Sequence, residues 1–218
     1  MSTETLKISL YQALAKVAQA LANANRLQLL EYIAQGERSV DQLAQLAGLS
    51  IANTSQHLQA LRQAGLVVPR KDGQRVFYSL SGPEVVALYT ALRRTGEHHA
   101  AEVEKLVRDF LGRRDELEPV PAEELLARAR KGLVTVLDVR PEKEFAAGHL
   151  PGALNVPIDR LETSLARLPK SREVIAYCRG PYCLMSFDAV AKLRKRGWKA
   201  RRLENGFPEW KAAGLPVE

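Results

Sequence analysis

The spacing of the apolar residues changes once along the chain, and this change is what most constrains the fold. Up to about Phe110, apolar residues recur three and four positions apart, the spacing that places them on one face of a helix. From about Pro119, short apolar runs such as residues 134–139 alternate with helical segments such as residues 184–195, a pattern typical of a parallel sheet flanked by helices. A charged, proline-bearing segment, residues 113–124, separates the two patterns like a linker, and we place the boundary near residue 117. The sequence therefore predicts two domains, one mainly helical and one α/β.

Three properties of the whole sequence limit its possible binding partners and its cellular compartment: the net charge, the length of its apolar runs and the number of cysteines. The formal net charge of +7 favours a polyanionic partner such as nucleic acid. No apolar run approaches the about 20 residues of a membrane span, and the N-terminal segment lacks the features of a signal peptide. We therefore expect a soluble, cytoplasmic protein with no membrane partner. Two cysteines are too few for a disulfide framework, so any disulfide is expected to act as a switch.

Residues 39–67 contain the parts of a helix-turn-helix. A first helix over residues 41–47 is followed by Gly48, which permits the turn, and Ser50 can cap a second helix that Gly65 can end. Leucines of the second helix face inward and leave polar side chains, which can hydrogen-bond base edges and phosphates, largely on the other side. These residues are Asn53, Ser55, Gln56, His57 and Gln59. A solvated helix face is the alternative interpretation, and the basic hairpin that follows favours DNA binding.

That hairpin consists of two β-like runs, residues 66–68 and 76–80, joined around an Asp-Gly pair that favours a tight turn. Together, LANANRLQLLEYI (residues 21–33) and LAGLSIANTSQHLQALRQAGLVVPRKDGQRVFYSL (residues 46–80) resemble the ArsR family of winged-helix transcriptional regulators. The resemblance covers about the first 95 residues. It implies that the second helix of the motif is the recognition helix in the DNA. It further implies that wing residues Arg70, Lys71 and Arg75 lie along phosphates, and that Arg26 matches the family's arginine on an early helix.

The ArsR resemblance also implies how the chain assembles. Members act as homodimers through terminal helices, which here are residues 6–21 and 84–111. Two-fold symmetry then calls for an inverted-repeat operator in double-stranded DNA. We therefore expect a winged helix-turn-helix domain over residues 1–95, and a continuing helix and linker over residues 96–117.

Metal sensing is the weaker interpretation of this half. Many ArsR members bind metal through cysteines on the first helix of the motif, and residues 39–47 contain none. On the predicted last helix, His99 and Glu102 are three positions apart, with Glu97 and His98 beside them, and such a pair could share zinc. Solvated helix polarity explains these residues equally well, and we expect no metal and no cofactor.

Both cysteines lie in AYCRGPYCLMS, residues 176–186. A strand is predicted to end at Cys178 and a helix to begin near Cys183. Free backbone N–H groups and the helix dipole favour a thiolate there, and Arg179 adds a positive charge. Such a site makes a nucleophile and can also hold an anion. The alternative is that Cys178 is a small buried apolar residue.

Two segments around this loop resemble the signatures of the rhodanese family: LDVRPEKEFAAGHLPGALNVP (residues 137–157) and ENGFPEW (residues 204–210). The resemblance implies an open parallel α/β sheet over residues 118–218. It also implies a persulfide formed on Cys178 from a sulfur donor such as thiosulfate or another persulfide, with Arg179 as its catalytic neighbour. Active-loop residues would be Gly180, Pro181 and Tyr182. Asp138 and Arg140 are expected to form a structural ion pair beneath the loop, and His149 to be a hydrogen-bonded turn residue rather than a base.

The loop departs from the rhodanese pattern at its last position, where many members have an arginine and this chain has Cys183. Pro181 also supplies no N–H group, so we expect weaker binding of a dianion such as thiosulfate. In exchange, Cys183 can act as a resolving thiol that attacks a persulfide on Cys178. The alternative is that Cys183 only packs into the first turn of the helix. Phosphate-handling loops close on an arginine after five intervening residues, a position that Leu184 occupies here, so phosphate chemistry is disfavoured.

Three hypotheses follow for the whole chain. The preferred one is a dimeric transcriptional regulator whose rhodanese-like domain reacts with or transfers sulfur and thereby alters DNA affinity. The second is a rhodanese-type sulfurtransferase for which the DNA-binding domain is a targeting module. The third is a sensor that binds an anion or arsenite without chemistry.

Overall fold

The computed structural model of the protein describes residues 3–112 and 119–218, so the boundary expected near residue 117 lies outside the described residues. The chain divides after Val85 into two compact units. The first unit contains α1 (Thr3–Leu21), α2 (Ala24–Ala34), β1 (Arg38–Ser39), α3 (Val40–Ala47), α4 (Ile51–Gln63), β2 (Val67–Asp72) and β3 (Arg75–Leu80). Its strands form an antiparallel sheet in the order β1-β3-β2.

Local sequence signals fix the pair α3 and α4. Ser39 caps α3 in a capping box with Gln42, and Gly48 ends the helix with φ of 65°, which a glycine adopts without strain. Ser50 then caps α4 by accepting a hydrogen bond from the backbone N–H of Asn53 at 3.2 Å. The predicted helix-turn-helix is confirmed, with the turn held by residues that satisfy the free ends of both helices.

Apolar side chains on α2, α3 and α4 form the core of this unit, where Leu29, Leu43, Leu58 and Leu61 are fully buried. Arg26 ties α1 to α2, because its Nη2 donates to the carbonyl oxygen of Gln19 at 2.9 Å and its Nε donates to that of Ala20. The early arginine of the motif therefore caps the end of α1.

The long helix expected over residues 84–111 is wrong in one respect. The structure has α5 (Pro83–His99), a break at Ala100 with φ of −107° and ψ of 106°, and α6 (Ala101–Val107). A single π-helical turn, Arg108–Gly112, follows. After the break, the side chain of Val103 lies next to Gly96: a Cβ on Gly96 would be 3.7 Å from Cγ2 of Val103. The break therefore lets two residues pack together that a straight helix would keep apart.

The second unit contains α7 (Ala122–Arg130), β4 (Val134–Asp138), α8 (Glu142–Ala146), β5 (Leu154–Asn155), β6 (Glu173–Tyr177), α9 (Leu184–Lys195), β7 (Ala200–Arg202) and α10 (Phe207–Ala212). Short 3₁₀ turns at Ile158–Arg160 and Glu162–Arg167 join β5 to β6. All neighbouring strands are parallel, in the order β5-β4-β6-β7, which confirms the predicted open α/β sheet. The linker prediction extended too far, because residues from Ala122 onward form α7 and bury Leu125.

The register of the two central strands positions the cysteine loop. Asp138 at the end of β4 pairs with Tyr177 at the end of β6. The segments that follow these strands, which begin at Val139 and Cys178, therefore both lie at the carboxyl edge of the sheet, where open α/β folds place ligands. None of the described helices is long and apolar enough to cross a membrane.

Candidate DNA interface and cysteine loop

Helix α4 presents a polar face. Gln56 and Gln59 are exposed, and Asn53 and Ser55 are partly exposed, while the leucines of the same helix are buried. Amide side chains can form paired hydrogen bonds with base edges in the major groove. The structure therefore places these four predicted recognition residues on the solvent side of α4.

His57, the fifth, is partly exposed like Asn53 and Ser55 and also contacts helix α2. Its Nε2 lies 3.3 Å from Nδ2 of Asn25 on α2, and the side chain is partly buried. Burial, with a smaller contribution from nearby Arg26, lowers the pKa of the imidazole. His57 thus joins α4 to α2 and stays partly accessible on the predicted recognition helix.

The hairpin β2–β3 carries three exposed cations, Arg70, Lys71 and Arg75. Lys71 and Arg75 are exposed beside its turn. Arg70 differs, because its Nε and Nη2 donate to the carboxylate of Glu37 at 2.9 and 2.6 Å, and its Nη1 approaches Asp72 at 3.3 Å. This pairing lowers the pKa of Glu37 and offsets the charge of Arg70. Of the three wing residues predicted to contact phosphates, Lys71 and Arg75 are the better placed.

The candidate metal residues lie on either side of the break at Ala100. His99 is the last residue of α5 and Glu102 belongs to α6, so the shared helix face on which the zinc interpretation depended is absent. Within residues 3–112 and 119–218, no group of three or more His, Cys, Asp or Glu side chains is arranged to hold a metal ion.

The cysteine loop joins β6 to α9. Cys178 directly follows β6 and is 2% exposed, and Cys183 is the partly exposed N-cap residue of α9. The two sulfur atoms are bonded to each other, with a Cα–Cα distance of 6.3 Å that lies within the usual range for disulfides. The two cysteines are thus close in the structure, as expected, and Cys183 is the more exposed residue.

Backbone contacts hold the loop in place. The N–H of Cys183 donates to the carbonyl of Gly180 at 3.1 Å, and the N–H of Phe207 donates to the carbonyl of Cys178 at 3.1 Å. Gly206 lies so close that a Cβ on it would come under 3.0 Å from backbone atoms of Arg179 and Gly180. The glycine of the ENGFPEW segment is thus required by close approach of two chain segments, a role that the sequence motif alone did not reveal.

Arg179 does not offer a free positive charge to the loop. Its Nε lies 3.0 and 3.2 Å from the two carboxylate oxygens of Glu144, and its Nη2 donates to Oε1 at 2.7 Å. Glu144 is 3% exposed, so the pair is shielded from solvent on the carboxylate side. The positive charge expected from Arg179 is therefore largely offset by a residue to which sequence reasoning gave no electrostatic role.

Asp138 and Arg140 form a fully buried ion pair at the carboxyl edge of the sheet. The Nη2 of Arg140 donates to Oδ2 of Asp138 at 2.6 Å and to the carbonyl of Gly148 at 2.8 Å. The guanidinium also lies 4.2 Å from the ring centroid of Phe207, the residue after Gly206. The pair thereby joins β4 to the segment that supports the cysteine loop.

Tyr177 and His149 have structural partners. The hydroxyl of Tyr177 accepts a hydrogen bond from the N–H of Leu150 at 3.1 Å, and burial raises the pKa of this phenol well above its ordinary value. The ring of His149 stacks on Phe145, and its Nδ1 lies 3.1 Å from the carbonyl oxygen of the same residue.

A winged helix-turn-helix and a rhodanese-like sheet with its cysteine loop define the class: a DNA-binding protein fused to a rhodanese-like domain. Comparisons with known proteins agree. The model for the arsR family of bacterial regulatory proteins matches residues 23–68, and that for the rhodanese-like domain matches residues 121–213. The chain is 42% identical over 212 residues to the HTH-type transcriptional regulator Rv0324 of Mycobacterium tuberculosis, a match that covers 97% of this chain and 93% of the relative. The chain therefore belongs to the ArsR family of transcriptional regulators.

Two further similarities concern one half of the chain each. A sulfurtransferase of Allochromatium vinosum is 33% identical over 85 residues, which covers 38% of this chain and 78% of that protein. The solution structure of the homodimeric winged helix-turn-helix DNA-binding domain of Mb0332 from Mycobacterium bovis is 36% identical, with a TM-score of 0.43. That match covers 47% of this chain and 93% of the other.

Proposed function

We propose that this transcriptional regulator senses reactive sulfur through the pair Cys178 and Cys183, and that closing the pair into a disulfide changes its affinity for DNA. The bonded cysteines at the carboxyl edge of the sheet carry the proposal. A disulfide between residues five positions apart can form and open without unfolding the domain, so it can record a signal. Cys183 is the more exposed residue of the pair, so a reductant thiolate can attack its sulfur and release Cys178 as a thiolate.

The chemistry requires no separate oxidant. The Cys178 thiolate attacks the outer sulfur of a persulfide donor, R–S–SH, forming Cys178–S–SH and releasing the thiolate R–S⁻. The thiol of Cys183 then attacks the Cys178 sulfur, forming the disulfide and releasing hydrogen sulfide. Two thiols and one transferred sulfur atom thus become one disulfide and one sulfide.

Donors of low charge suit this loop better than thiosulfate. Pro181 has no N–H group, and the N–H of Cys183 is already bonded to Gly180. The charge of Arg179 is offset by Glu144. A dianion would therefore find few donors and little positive charge, whereas a persulfide needs only access to the thiolate. The same features argue against an anion sensor that works without chemistry.

The assembly that we propose is a homodimer on an inverted repeat. Most of α1 is exposed although it carries large apolar side chains, including Leu10 and Leu14, which are 57% and 63% exposed. Apolar side chains in such a row favour burial against a partner. The residues that we propose for DNA contact are Gln56 and its polar neighbours on α4, with Lys71 and Arg75 on the wing. The functional division into residues 1–95, 96–117 and 118–218 remains part of this proposal.

Operator binding by the full chain in defined thiol states tests the proposal. The dithiol form and the form treated with a small-molecule persulfide are compared by gel shift, while intact mass and thiol counting report the loop. We expect treated protein to lose two thiols and to change its Kd by at least about fivefold, the lower end of typical allosteric coupling. Cys178→Ser should not respond, and Cys183→Ser should retain one added sulfur atom. Equal affinity of the dithiol and disulfide forms would refute the sensor.

A sulfurtransferase is the second candidate, favoured by the similarity to the Allochromatium vinosum sulfurtransferase. Steady release of transferred sulfur to an excess of acceptor thiol, at a rate abolished by Cys178→Ser, would support turnover. The sensor instead predicts a single round that stops when the disulfide closes.

A further inference from the structure

Helix α5 presents one face to the cysteine loop within the second compact unit, which begins at Val86. Tyr182, between the two cysteines, forms a hydrogen bond through its hydroxyl with the carboxylate of Glu97. The guanidinium of Arg93 lies 5.8 Å from the centroid of the same ring. Burial and the carboxylate of Glu97 both raise the pKa of Tyr182, so its hydroxyl stays protonated and able to donate. Tyr182, which lies inside the disulfide ring, thus attaches the loop to α5.

Arg93 extends this attachment to the other side of the loop. Its Nη1 donates to both oxygens of Glu97 at 3.0 and 3.2 Å, and its Nη2 donates to Oδ1 of Asn205 at 3.2 Å. The Arg93 side chain is 9% exposed, so these contacts are shielded from solvent. Asn205 precedes Gly206, which lies against the backbone of the cysteine loop. Helix α5 therefore contacts both chain segments that hold Cys178.

Two polar atoms of α5 have no hydrogen-bond partner among the described residues. They are Oγ1 of Thr90 and Nε of Arg93, and both are buried. Buried polar atoms are nearly always paired in folded proteins, because an unpaired one loses its hydration without compensation. These two atoms lie one turn apart on α5, and the Arg93 guanidinium therefore keeps an unused donor beside the loop.

We propose that Tyr182, Glu97 and Arg93 form a relay that transmits the thiol state of the loop to α5. This inference rests on the proposed function and names the regulation of the same site. The closed disulfide restrains residues 179–182 between two bonded ends and holds Tyr182 against Glu97. Opening the ring frees the backbone on both sides of Tyr182, which then leaves Glu97, and the Arg93 contacts rearrange.

The neighbouring face of α5 gives this change a route to DNA. Leu88 and Leu92, four positions apart, are 39% and 44% exposed, while Arg93 and Glu97 face the loop. Since α5 belongs to the terminal helices that we propose for the dimer, one rigid helix carries both the contact with the loop and an apolar surface for the partner. Movement of α5 would alter the spacing of the two recognition helices, on which binding to an inverted repeat depends.

Two conservative variants of the full chain test the relay. Tyr182→Phe removes only the hydroxyl, and Glu97→Gln keeps a hydrogen-bond acceptor but removes the charge that faces Arg93. Glu102→Gln, an exposed residue of α6, is the matched control. Each protein is compared in its dithiol and persulfide-treated forms by operator Kd, by thiol counting and by amide hydrogen exchange of residues 86–99.

In the wild type and in Glu102→Gln, we expect the two forms to differ at least fivefold in Kd and visibly in the exchange of α5. In Tyr182→Phe and Glu97→Gln, the Kd ratio should fall below about twofold and the exchange difference should vanish. Glu97→Gln, which changes α5 and not the cysteine loop, should still lose two thiols on treatment. A wild-type ratio that both variants retain would overturn the relay and leave the sensor intact. If the Kd of the wild type is the same in both forms, the sensor fails, and amide hydrogen exchange of α5 alone tests the relay. A difference in exchange between the two forms that Tyr182→Phe abolishes supports the relay. Equal exchange in the two wild-type forms overturns it.

Discussion

Gly206→Ala tests how tightly the cysteine loop depends on its support. A Cβ at this position would lie 2.4 Å from the carbonyl carbon and oxygen of Arg179 and from the nitrogen of Gly180, whereas real Cβ atoms essentially never approach within 3.0 Å. Two backbone segments must therefore separate, and overpacking of this kind costs about 1–3 kcal/mol. For a unit that spans Val86 to Glu218, a loss of 2 kcal/mol corresponds to a fall of roughly 7 °C in melting temperature, from an unfolding entropy of about 2.1 cal/mol/K per residue.

Urea unfolding followed by tryptophan fluorescence measures this loss of stability. It reports on the second compact unit, because both tryptophans of the chain, Trp198 and Trp210, lie there. The rate of disulfide closure after persulfide addition should also fall, since Cys178 and Cys183 no longer meet in the same geometry. Gly132→Ala is the control: its φ is +66° but nothing lies within 4 Å, so it costs about 1–2 kcal/mol through the backbone and leaves closure unchanged. A Gly206→Ala protein that unfolds and closes like the wild type would refute this account of the loop.

Three further predictions address other contacts. Asp138→Asn should destabilise the second unit by about 3–5 kcal/mol in urea unfolding, because it leaves Arg140 buried without its counter-charge; a loss below 1 kcal/mol would contradict this. Because burial lowers the pKa of His57 below its ordinary 6.5, its contribution to stability is present above that pH and is lost as the pH falls through the lowered pKa. Melting of His57→Gln between pH 5 and 8 should therefore vary less with pH than the wild type, and parallel curves would rule out this source. Lys71→Ala should weaken binding to operator and random DNA alike and reduce the salt slope by about 0.9, whereas Gln56→Ala should cost about 1–3 kcal/mol of discrimination between them. Equal effects in titrations of both DNAs would reject that division of roles.

Features encoded by neighbouring residues were predictable from the sequence. Ser50 and Gly48 signalled the ends of the two helices of the DNA-binding motif, and the structure has both caps. Helix α9 has the predicted bounds, Leu184–Lys195, because its apolar spacing and the turn residues before it lie within one segment. Such signals need no knowledge of the rest of the fold.

Features that depend on distant residues were not predictable. Glu144 neutralises Arg179 from 35 positions away, and the close approach of Gly206 to the same residue joins segments 27 positions apart. The break at Ala100, which brings Val103 next to Gly96, is likewise not visible in the helical spacing. Charge and polarity could be read along the chain, but which charges are offset is decided by the fold.

Charge compensation around the loop explains why a second cysteine is useful in the place of an arginine. Arg179 is paired with Glu144, Arg140 with Asp138, and Arg93 with Glu97, so each of these cations already has a carboxylate partner. A loop built to capture a dianion would leave at least one such charge unpaired and aimed at the ligand. A loop built for thiol and disulfide exchange needs two sulfur atoms within bonding reach and a way to sense which state they occupy. The chain provides the first in Cys178 and Cys183, and the hydrogen bond of Tyr182 to α5 is the contact best placed to provide the second.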